Sequence, residues 1–275
     1  MLAALIIVFR EMIEAGLIVG IVLAAARGVA GRGRMVAGGV AAGVLGACLL
    51  AVFAGRIAGL FEGSGQEVFQ AAVLLAAVAM LAWHNTWMAS HGREMARQMR
   101  ALGRSVTVGD RPPAALAVVV AVAVLREGAE AVLFLYGVVV SSGDNAASVA
   151  VGGALGVAAG GAVAATMYLG LLAIPAGKLF STTAWLITLL AAGMAAQAVA
   201  FLQQGGFVQV WQTPLWDTSG ALSQNSLVGR MAHTLVGYTD QPNGLQALAW
   251  LATVAGIWML SRVARRSVQL RSAAA

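Results

Sequence analysis

Charged residues are scarce in this 275-residue chain. It contains only 17 basic and 11 acidic side chains, and charged residues make up 10% of the sequence, against about a quarter in an ordinary soluble domain. Hydrophobic residues make up 60%, and the mean hydropathy is +0.85. A 28.0 kDa globule has too little interior to bury so much apolar surface. The composition therefore excludes a soluble enzyme.

Cysteine is almost absent as well. The single Cys48 lies within an apolar run, so a disulfide scaffold, a cysteine zinc site and a membrane thiol relay all lack their residues. We interpret Cys48 as a small buried hydrophobic side chain.

Apolar bands of about 20 residues, long enough to cross the hydrocarbon core of a bilayer, recur along the whole sequence. They predict an all-α integral membrane protein with seven transmembrane helices, at 1–26, 36–60, 67–90, 114–140, 148–174, 182–204 and 246–262. The predicted organisation is a three-helix unit at 1–90, a basic cytoplasmic loop at 91–113, a second three-helix unit at 114–204, an extracytoplasmic amphipathic or re-entrant segment at 205–245, and a last helix with a basic cytoplasmic tail at 246–275.

The basic residues indicate the orientation of the chain. Thirteen of the 17 follow the first, third, fifth or seventh segment, and the breaks on the opposite side are mainly acidic. Because basic residues concentrate in cytoplasmic loops, we expect the N-terminus outside and the C-terminus in the cytoplasm. The basic composition is then mostly a signal of topology, and no nucleic-acid partner is expected.

An internal repeat relates the two three-helix units. Ile-Val-Phe-Arg-Glu-Met-Ile-Glu-Ala at 7–15 matches Ala-Val-Leu-Arg-Glu-Gly-Ala-Glu-Ala at 123–131. Val-Leu-Leu-Ala-Ala at 73–77 likewise matches Thr-Leu-Leu-Ala-Ala at 188–192. Because each unit has three crossings, the copies have inverted topology, with one extra C-terminal helix. Inverted repeats of this kind are typical of secondary transporters, which bind substrate where the repeats meet.

Each repeat places three charges near the middle of a predicted crossing: Arg10, Glu11 and Glu14 in the first helix, and Arg126, Glu127 and Glu130 in the fourth. A charged residue at a helix centre costs about 2.5–3.5 kcal/mol even on lenient insertion scales, so these side chains are expected to face each other or water. Residues three and four apart share a helix face, so each arginine can brace the second glutamate and leave the first free.

The six charges sum formally to −2, which suits a hard multivalent cation bound by carboxylate oxygens. One alternative is a buried ion-pair network that only joins helices, although such pairs usually add little stability. A second is an intramembrane hydrolase that uses the carboxylates as acid and base. A transporter of another divalent ion, such as lead or manganese, is a third.

The two Arg-Glu-x-x-Glu motifs, the inverted plan, Leu-Trp-Asp-Thr-Ser-Gly at 215–220 and His-Thr-Leu-Val-Gly-Tyr-Thr-Asp-Gln-Pro at 233–242 together resemble the oxidase-dependent iron permease family, which includes bacterial ferrous iron permeases and lead permeases. The resemblance covers nearly the whole chain. It implies a permease of the bacterial inner membrane, not an enzyme. It also implies that iron, as Fe2+ or Fe3+, is the transported substrate, with no permanently bound cofactor.

The same resemblance implies that Glu11, Glu14, Glu127 and Glu130 bind iron, with Arg10 and Arg126 as supporting residues. It further implies a periplasmic iron-binding protein and an oxidase or peroxidase as partners, besides the membrane lipids. The family's outer Glu-x-x-Glu site reads Glu67-Val-Phe-Gln70 here, so its second acid is missing. Glu67 and Asp217 are candidates for an outer relay. His84 and His91, seven residues apart on the third helix, are candidates for an inner relay, or else for helix-end packing.

Overall fold

The computed structural model describes the backbone of residues 1–59, 66–142, 145–170 and 176–273, with side chains for these residues except 57–59, 88–93, 142, 176–181, 234 and 265–273. Within these ranges the chain is helical and no β-strand is formed. The helices are α1 (Leu2–Ala25), α2 (Arg32–Gly59), α3 (Gln66–Thr107), α4 (Ala114–Ser142), α5 (Ala146–Tyr168), α6 (Ala176–Gln204), α7 (Leu227–Val236) and α8 (Gly244–Ala273).

Several helix ends follow local sequence signals. The Asn145 side chain accepts a hydrogen bond from the Ser148 amide at 2.8 Å and caps the start of α5. Asn243 and Gln246 exchange two side-chain-to-backbone hydrogen bonds, of 2.9 and 3.0 Å, across the first turn of α8. Such caps satisfy amide groups that have no partner within the helix.

Among the described residues, five helices are long and apolar enough to cross a membrane: Arg32–Arg56, Gln66–Trp87, Ala146–Tyr168, Thr182–Gln204 and Gly244–Ala264. The outward faces of these helices are apolar. In α2, for example, Leu45, Leu49 and Phe53 each expose about two thirds of their surface. Cys48 is exposed on the same helix, so the expectation of a buried thiol is wrong, because α2 packs through its glycine-bearing face. These helices make the chain a multi-pass membrane protein.

Helices α1 and α4, with 24 and 29 residues, are also long, but each carries an arginine and two glutamates in its central part. Helix α1 packs most closely against α5, α2 against α4, and α3 against α6, while α1 also contacts α3 and α4. The two charged helices therefore contact several other helices, and most of their central charges face protein rather than the outside of the bundle.

Glycines bring these helix pairs into close contact. A Cβ at Gly43 of α2 would lie 2.8 Å from the carbonyl oxygen of Ala121 in α4. A Cβ at Gly160 of α5 would lie 2.7 Å from the carbonyl oxygen of Phe9 in α1. Close approach through small residues is characteristic of helix packing in membranes, and it fixes α1 and α4 where their charges lie.

Helix α3 differs from the predicted organisation. It continues to Thr107, through most of the stretch assigned to a basic loop at 91–113. The arginine-rich residues that look like a loop by charge include good helix formers such as Arg, Met, Gln and Glu, so the helix extends beyond the apolar part of the segment.

The segment between α6 and α8 turns back along the bundle. Gly237 ends α7 in a left-handed conformation, with φ 71°, and lies so close to Gly193 of α6 that neither position has room for a Cβ. Gly193 is eleven residues before the end of α6 at Gln204, which is about 16 Å along a helix. The Trp250 indole of α8 donates to the Val236 carbonyl at 2.7 Å. The segment thus reaches down beside the middle of α6.

Candidate metal centre

The charged residues of α1 and α4 lie together inside the bundle. Arg10, Glu11 and Glu14 are 3–4% exposed, and Glu127 and Glu130 are 4–5% exposed. Six charges confined to two helices cannot all face lipid, and the packing of α1 against α4 brings them to one another instead.

In α1, the arginine pairs with the second glutamate. Arg10 Nε lies 2.9 Å from Glu14 Oε1, one helical turn away, while Arg10 Nη1 is 3.6 Å from Glu11 Oε1. Neither carboxylate oxygen of Glu11 finds a hydrogen-bond donor among the described residues. Glu11 is therefore the carboxylate of this helix that is left to accept a ligand.

The motif in α4 repeats this pairing. Arg126 Nε lies 3.0 Å from Glu130 Oε1 and 4.0 Å from Glu127 Oε1. The Arg126 guanidinium also lies 4.6 Å from the centroid of the Trp87 ring, in a cation–π contact. Glu127 Oε2 has no hydrogen-bond partner within the described part of the chain, so the first glutamate again offers a free oxygen.

His84 of α3 lies between the two motifs. Its side chain is 1% exposed. Its Nε2 is 3.2 Å from Glu14 Oε2, and its Nδ1 is in direct contact with Glu130 Oε2. This position differs from the inner relay that the sequence suggests. A third crossing that ends at 90 puts His84 near a helix end, whereas in α3, which continues to Thr107, it lies well inside.

Asn85, the residue next to His84, attaches α3 to α6. The Asn85 side-chain amide donates to the Ala184 carbonyl at 3.1 Å and to Thr188 Oγ1 at 3.2 Å, both in α6. These bonds satisfy a buried amide and attach α3 to α6 at the level of His84, so the orientation of the imidazole is set by the helix pair as well as by its glutamate contacts.

An apolar layer lies on each side of the charges. One cluster includes Ile7 of α1 and Phe134 of α4, together with residues of α3 and α6. The other includes Val22 of α1 and Val120 of α4. In both charged helices the motif falls between these clusters in sequence, so the carboxylates occupy a closed, low-dielectric layer in which electrostatic interactions are strong.

Four of these residues could hold a metal ion together. One ligand atom from each of Glu11, His84, Glu127 and Glu130 lies within 4.8 Å of the others. Three carboxylates and an imidazole form a donor set that suits divalent first-row metals. Glu14 is not a member of this group; its Oε1 pairs with Arg10 and its Oε2 lies 3.2 Å from His84 Nε2.

The remaining candidates lie elsewhere. Glu67 is half-buried at the start of α3, beside Gly205 at the end of α6. Asp217 is exposed, and its oxygens accept hydrogen bonds from Ser219 and Gln241. These bonds, led by that of the Ser219 hydroxyl, hold the pKa of Asp217 below its usual value. The side chain of His91 lies outside the described residues.

A buried carboxylate cluster inside a multi-pass helical bundle is the kind of site expected of a membrane transporter for cations. Comparison with known sequences identifies the family, because the iron permease FTR1 family matches residues 1–273. The chain belongs to this family.

Named relatives agree with this assignment. The chain is 31% identical to the ferrous iron permease EfeU of Escherichia coli O157:H7 and to that of Shigella sonnei, over 91% of each chain. It is 30% identical to the putative inactive ferrous iron permease EfeU of Escherichia coli K12, again over 91% of each chain. No solved structure matches the fold. Permeases are transporters, so the intramembrane hydrolase is set aside.

Proposed function

We propose that this protein imports ferrous iron across the bacterial inner membrane through a midplane site built from the two Arg-Glu-x-x-Glu motifs. The observation that carries the proposal is the pair of buried first glutamates: both oxygens of Glu11 and Oε2 of Glu127 lack hydrogen-bond donors among the described residues. A buried carboxylate without a partner is costly, and a cation removes that cost. The similarity to ferrous iron permeases favours iron as the cation.

Charge balance favours the divalent ion. Four glutamates and two arginines sum to −2, so one Fe2+ makes the cluster neutral when His84 is uncharged, whereas Fe3+ leaves an excess positive charge in a closed apolar layer. Uncompensated buried charge carries a penalty of several kcal/mol per ion. Manganese and lead, as divalent ions, have the same charge match, and the uptake experiment below separates them from iron.

The proposed topology has seven crossings, with the N-terminus outside and the C-terminus in the cytoplasm. Helices α1 and α4 supply the two crossings beyond the five apolar spans. The packing supports an inverted repeat, because exchanging the first three helices with the next three converts the α1–α5 pair into the α4–α2 pair, and both pairs are closely packed. The cation site then lies where the two repeats meet, as is usual for such transporters.

Passage of an ion requires the bundle to rearrange. The apolar clusters around Ile7 and Val22 close the charged layer on both sides, so capture from one side and release to the other follow from alternate opening of these layers. A periplasmic iron-binding protein and an oxidase or peroxidase remain the partners expected from the family resemblance, as do Glu67 as an outer relay and His91 as an inner one.

The test is iron uptake into proteoliposomes that contain the purified full chain, measured with radiolabelled Fe2+ under anaerobic conditions. Glu11→Gln and Glu127→Gln are each expected to lower uptake by tenfold or more, on the order of the loss seen when metal-site residues are changed. Glu94→Gln is the matched control, because Glu94 is exposed and pairs only with Arg97, at 3.4 Å, among the described residues.

Competition with unlabelled Mn2+ and Pb2+ identifies the preferred ion. We expect Fe2+ to compete best. Undiminished uptake in both motif variants, with normal insertion into the liposomes, would contradict the proposed site, and stronger competition by Pb2+ or Mn2+ would assign the site to that ion instead.

A further inference from the structure

His84 makes the cation site asymmetric. The offset that aligns residues 73–77 with 188–192 pairs His84 with Val199, so the second repeat has no corresponding imidazole. The His84 side chain is nonetheless almost fully buried and contacts one glutamate from each motif. A buried imidazole that occurs in the first repeat and not in the second has a function that the two Arg-Glu-x-x-Glu motifs do not explain.

The two ring nitrogens face different surroundings. Nε2 is 3.2 Å from Glu14 Oε2, and Glu14 is itself held by Arg10 at 2.9 Å. Nδ1 faces Glu130, and one ring nitrogen of His84 lies within 4.8 Å of a carboxylate oxygen from each of Glu11, Glu127 and Glu130. A neutral imidazole has one N–H group and one lone pair. An N–H on Nε2 that donates to Glu14 leaves the lone pair on Nδ1 free to bind a cation that lies between Nδ1 and the other carboxylates.

We propose that His84 is the nitrogen ligand of the cation site and gives it a preference for divalent first-row transition metals over Mg2+ and Ca2+. In this arrangement Nδ1 binds the ion together with Glu11, Glu127 and Glu130, while Glu14 is a positioning residue that orients the imidazole. The inference rests on the proposed function, since it refines the ligand set of the same site.

The distances are compatible with this ligand set. Ligand atoms about 2.1 Å from a transition metal lie at most about 4.2 Å apart across the centre. The four ligand atoms of Glu11, His84, Glu127 and Glu130 lie within 4.8 Å of one another, so small rotations of the glutamate side chains bring them to bonding distance. The link from Glu14 through imidazole to the ion matches the carboxylate–histidine–metal relation common in metal sites, where the carboxylate fixes the tautomer and the ring orientation.

The ligand chemistry sets the preference. Ca2+ takes six to eight oxygen ligands, and Mg2+ prefers an octahedron of oxygens and keeps several waters. Imidazole suits iron, zinc, nickel and copper. A closed site with three carboxylates and one nitrogen therefore disfavours both hard ions, which are far more abundant than iron in most surroundings of a cell.

The test uses Mn2+ as a paramagnetic probe bound to the purified full chain in detergent, with pulsed electron paramagnetic resonance to detect nitrogen ligands. The wild type is expected to show coupling to one histidine nitrogen, which changes on 15N-histidine labelling and disappears in His84→Gln. His91→Gln is the matched control, since it removes a histidine seven residues along the same helix and is expected to keep the coupling. Glu14→Gln is also expected to keep it, because Glu14 is not a ligand.

A binding competition measures the preference itself. Under anaerobic conditions, we expect His84→Gln to reduce the ratio of Fe2+ to Ca2+ affinity by about tenfold or more, whereas Glu127→Gln should lower the affinity for both ions. Bound Mn2+ without nitrogen coupling in the wild type, or coupling that survives in His84→Gln, overturns the role of His84 while leaving the glutamate site intact.

If the proposed cation site itself is wrong, the result is different: Glu11→Gln and Glu127→Gln then bind Mn2+ as tightly as the wild type. If His84→Gln does not fold, the wild-type spectrum, with and without 15N-histidine, still decides between a nitrogen-containing and an all-oxygen site, and His91→Gln shows whether the coupled nitrogen belongs to His91.

Discussion

The two copies of the Arg-Glu-x-x-Glu motif have the same charged residues but different surroundings. Arg10 is 3% exposed, and its Nη1 atom has no hydrogen-bond partner within the described residues. The Arg126 side chain is 35% exposed and lies over the Trp87 ring. The motif itself sets the pairing of the arginine with the glutamate one turn away, which is 2.9 Å in one copy and 3.0 Å in the other. The neighbouring helices set how much of each arginine is covered by protein.

This contrast shows that a repeated motif does not give two equal halves of a site. In α1 the whole motif is desolvated, so its charges depend on one another. In α4 the arginine retains contact with its surroundings and with an aromatic face. Loss of one charge should therefore destabilise the motif of α1 more than the motif of α4.

Substitution of the two motif arginines is expected to have the largest effect on the stability of the protein. Arg10→Gln leaves Glu14 buried without its main counter-charge and should lower the free energy of unfolding by about 3–5 kcal/mol. Arg126→Gln should lower the free energy of unfolding by less, about 1–2 kcal/mol, because Arg126 is only partly covered by protein and the variant loses one hydrogen bond and one cation–π contact. Thermal and denaturant unfolding in detergent measure both. Equal losses would show that the two copies are equivalent.

A smaller effect is expected from the glycines that hold each copy in place. Gly160→Ala places a methyl group 2.7 Å from the Phe9 carbonyl oxygen, next to the motif of α1, and Gly43→Ala places one 2.8 Å from the Ala121 carbonyl oxygen in α4. Each substitution should lower the free energy of unfolding by about 1–3 kcal/mol, because the added methyl group overpacks the helix contact.

The controls for these variants lie on the same helices. A Cβ at Gly153 meets only Val8, at 3.9 Å, and a Cβ at Gly38 meets nothing within 4 Å. Gly153→Ala and Gly38→Ala should therefore be neutral or slightly stabilising, since alanine favours helix. Melting temperatures that fall by the same amount in the controls would contradict the close-packing argument.

The smallest effect is expected at Asp217. Because the Ser219 and Gln241 hydrogen bonds lower its pKa, the carboxylate contributes stability above its usual pKa of 3.8 and loses that contribution as the pH falls below this range. Since the group is fully exposed, the wild type and Asp217→Asn should differ only slightly in melting temperature at pH 7, and the difference should shrink as the pH falls below 3.8. Iron uptake should be unchanged at pH 7. A loss of uptake comparable to that of Glu11→Gln would instead make Asp217 an outer relay.

The pairing within each motif could be predicted from spacing alone, because residues four apart on a helix are neighbours whatever surrounds them. The clustering of the two motifs could be predicted from the cost of isolated charges in lipid. The burial of Arg10 against the partial exposure of Arg126 could not, because it depends on which side of each helix α3 covers.

The sequence contains a pattern that predicts the burial of His84. Leu74, Ala77, Leu81 and His84 are all buried, and their spacing of three and four residues marks one face of α3. That stripe is visible in the sequence and points His84 into the bundle. The arginines after residue 90 indicate where the membrane crossing ends. They do not indicate the end of the helix, because α3 continues to Thr107.

The two apolar clusters also have a consequence for the speed of transport. An ion that crosses the layers around Ile7 and Val22 has to leave its hydration shell behind, and the glutamates replace that shell only in the middle of its passage. Each ion therefore waits for the helices to part on one side and then on the other. In the proposed transport cycle these helix movements govern turnover, one cycle per ion, so we expect the rate to saturate with iron concentration as in a carrier and not to rise linearly with it as in an open pore.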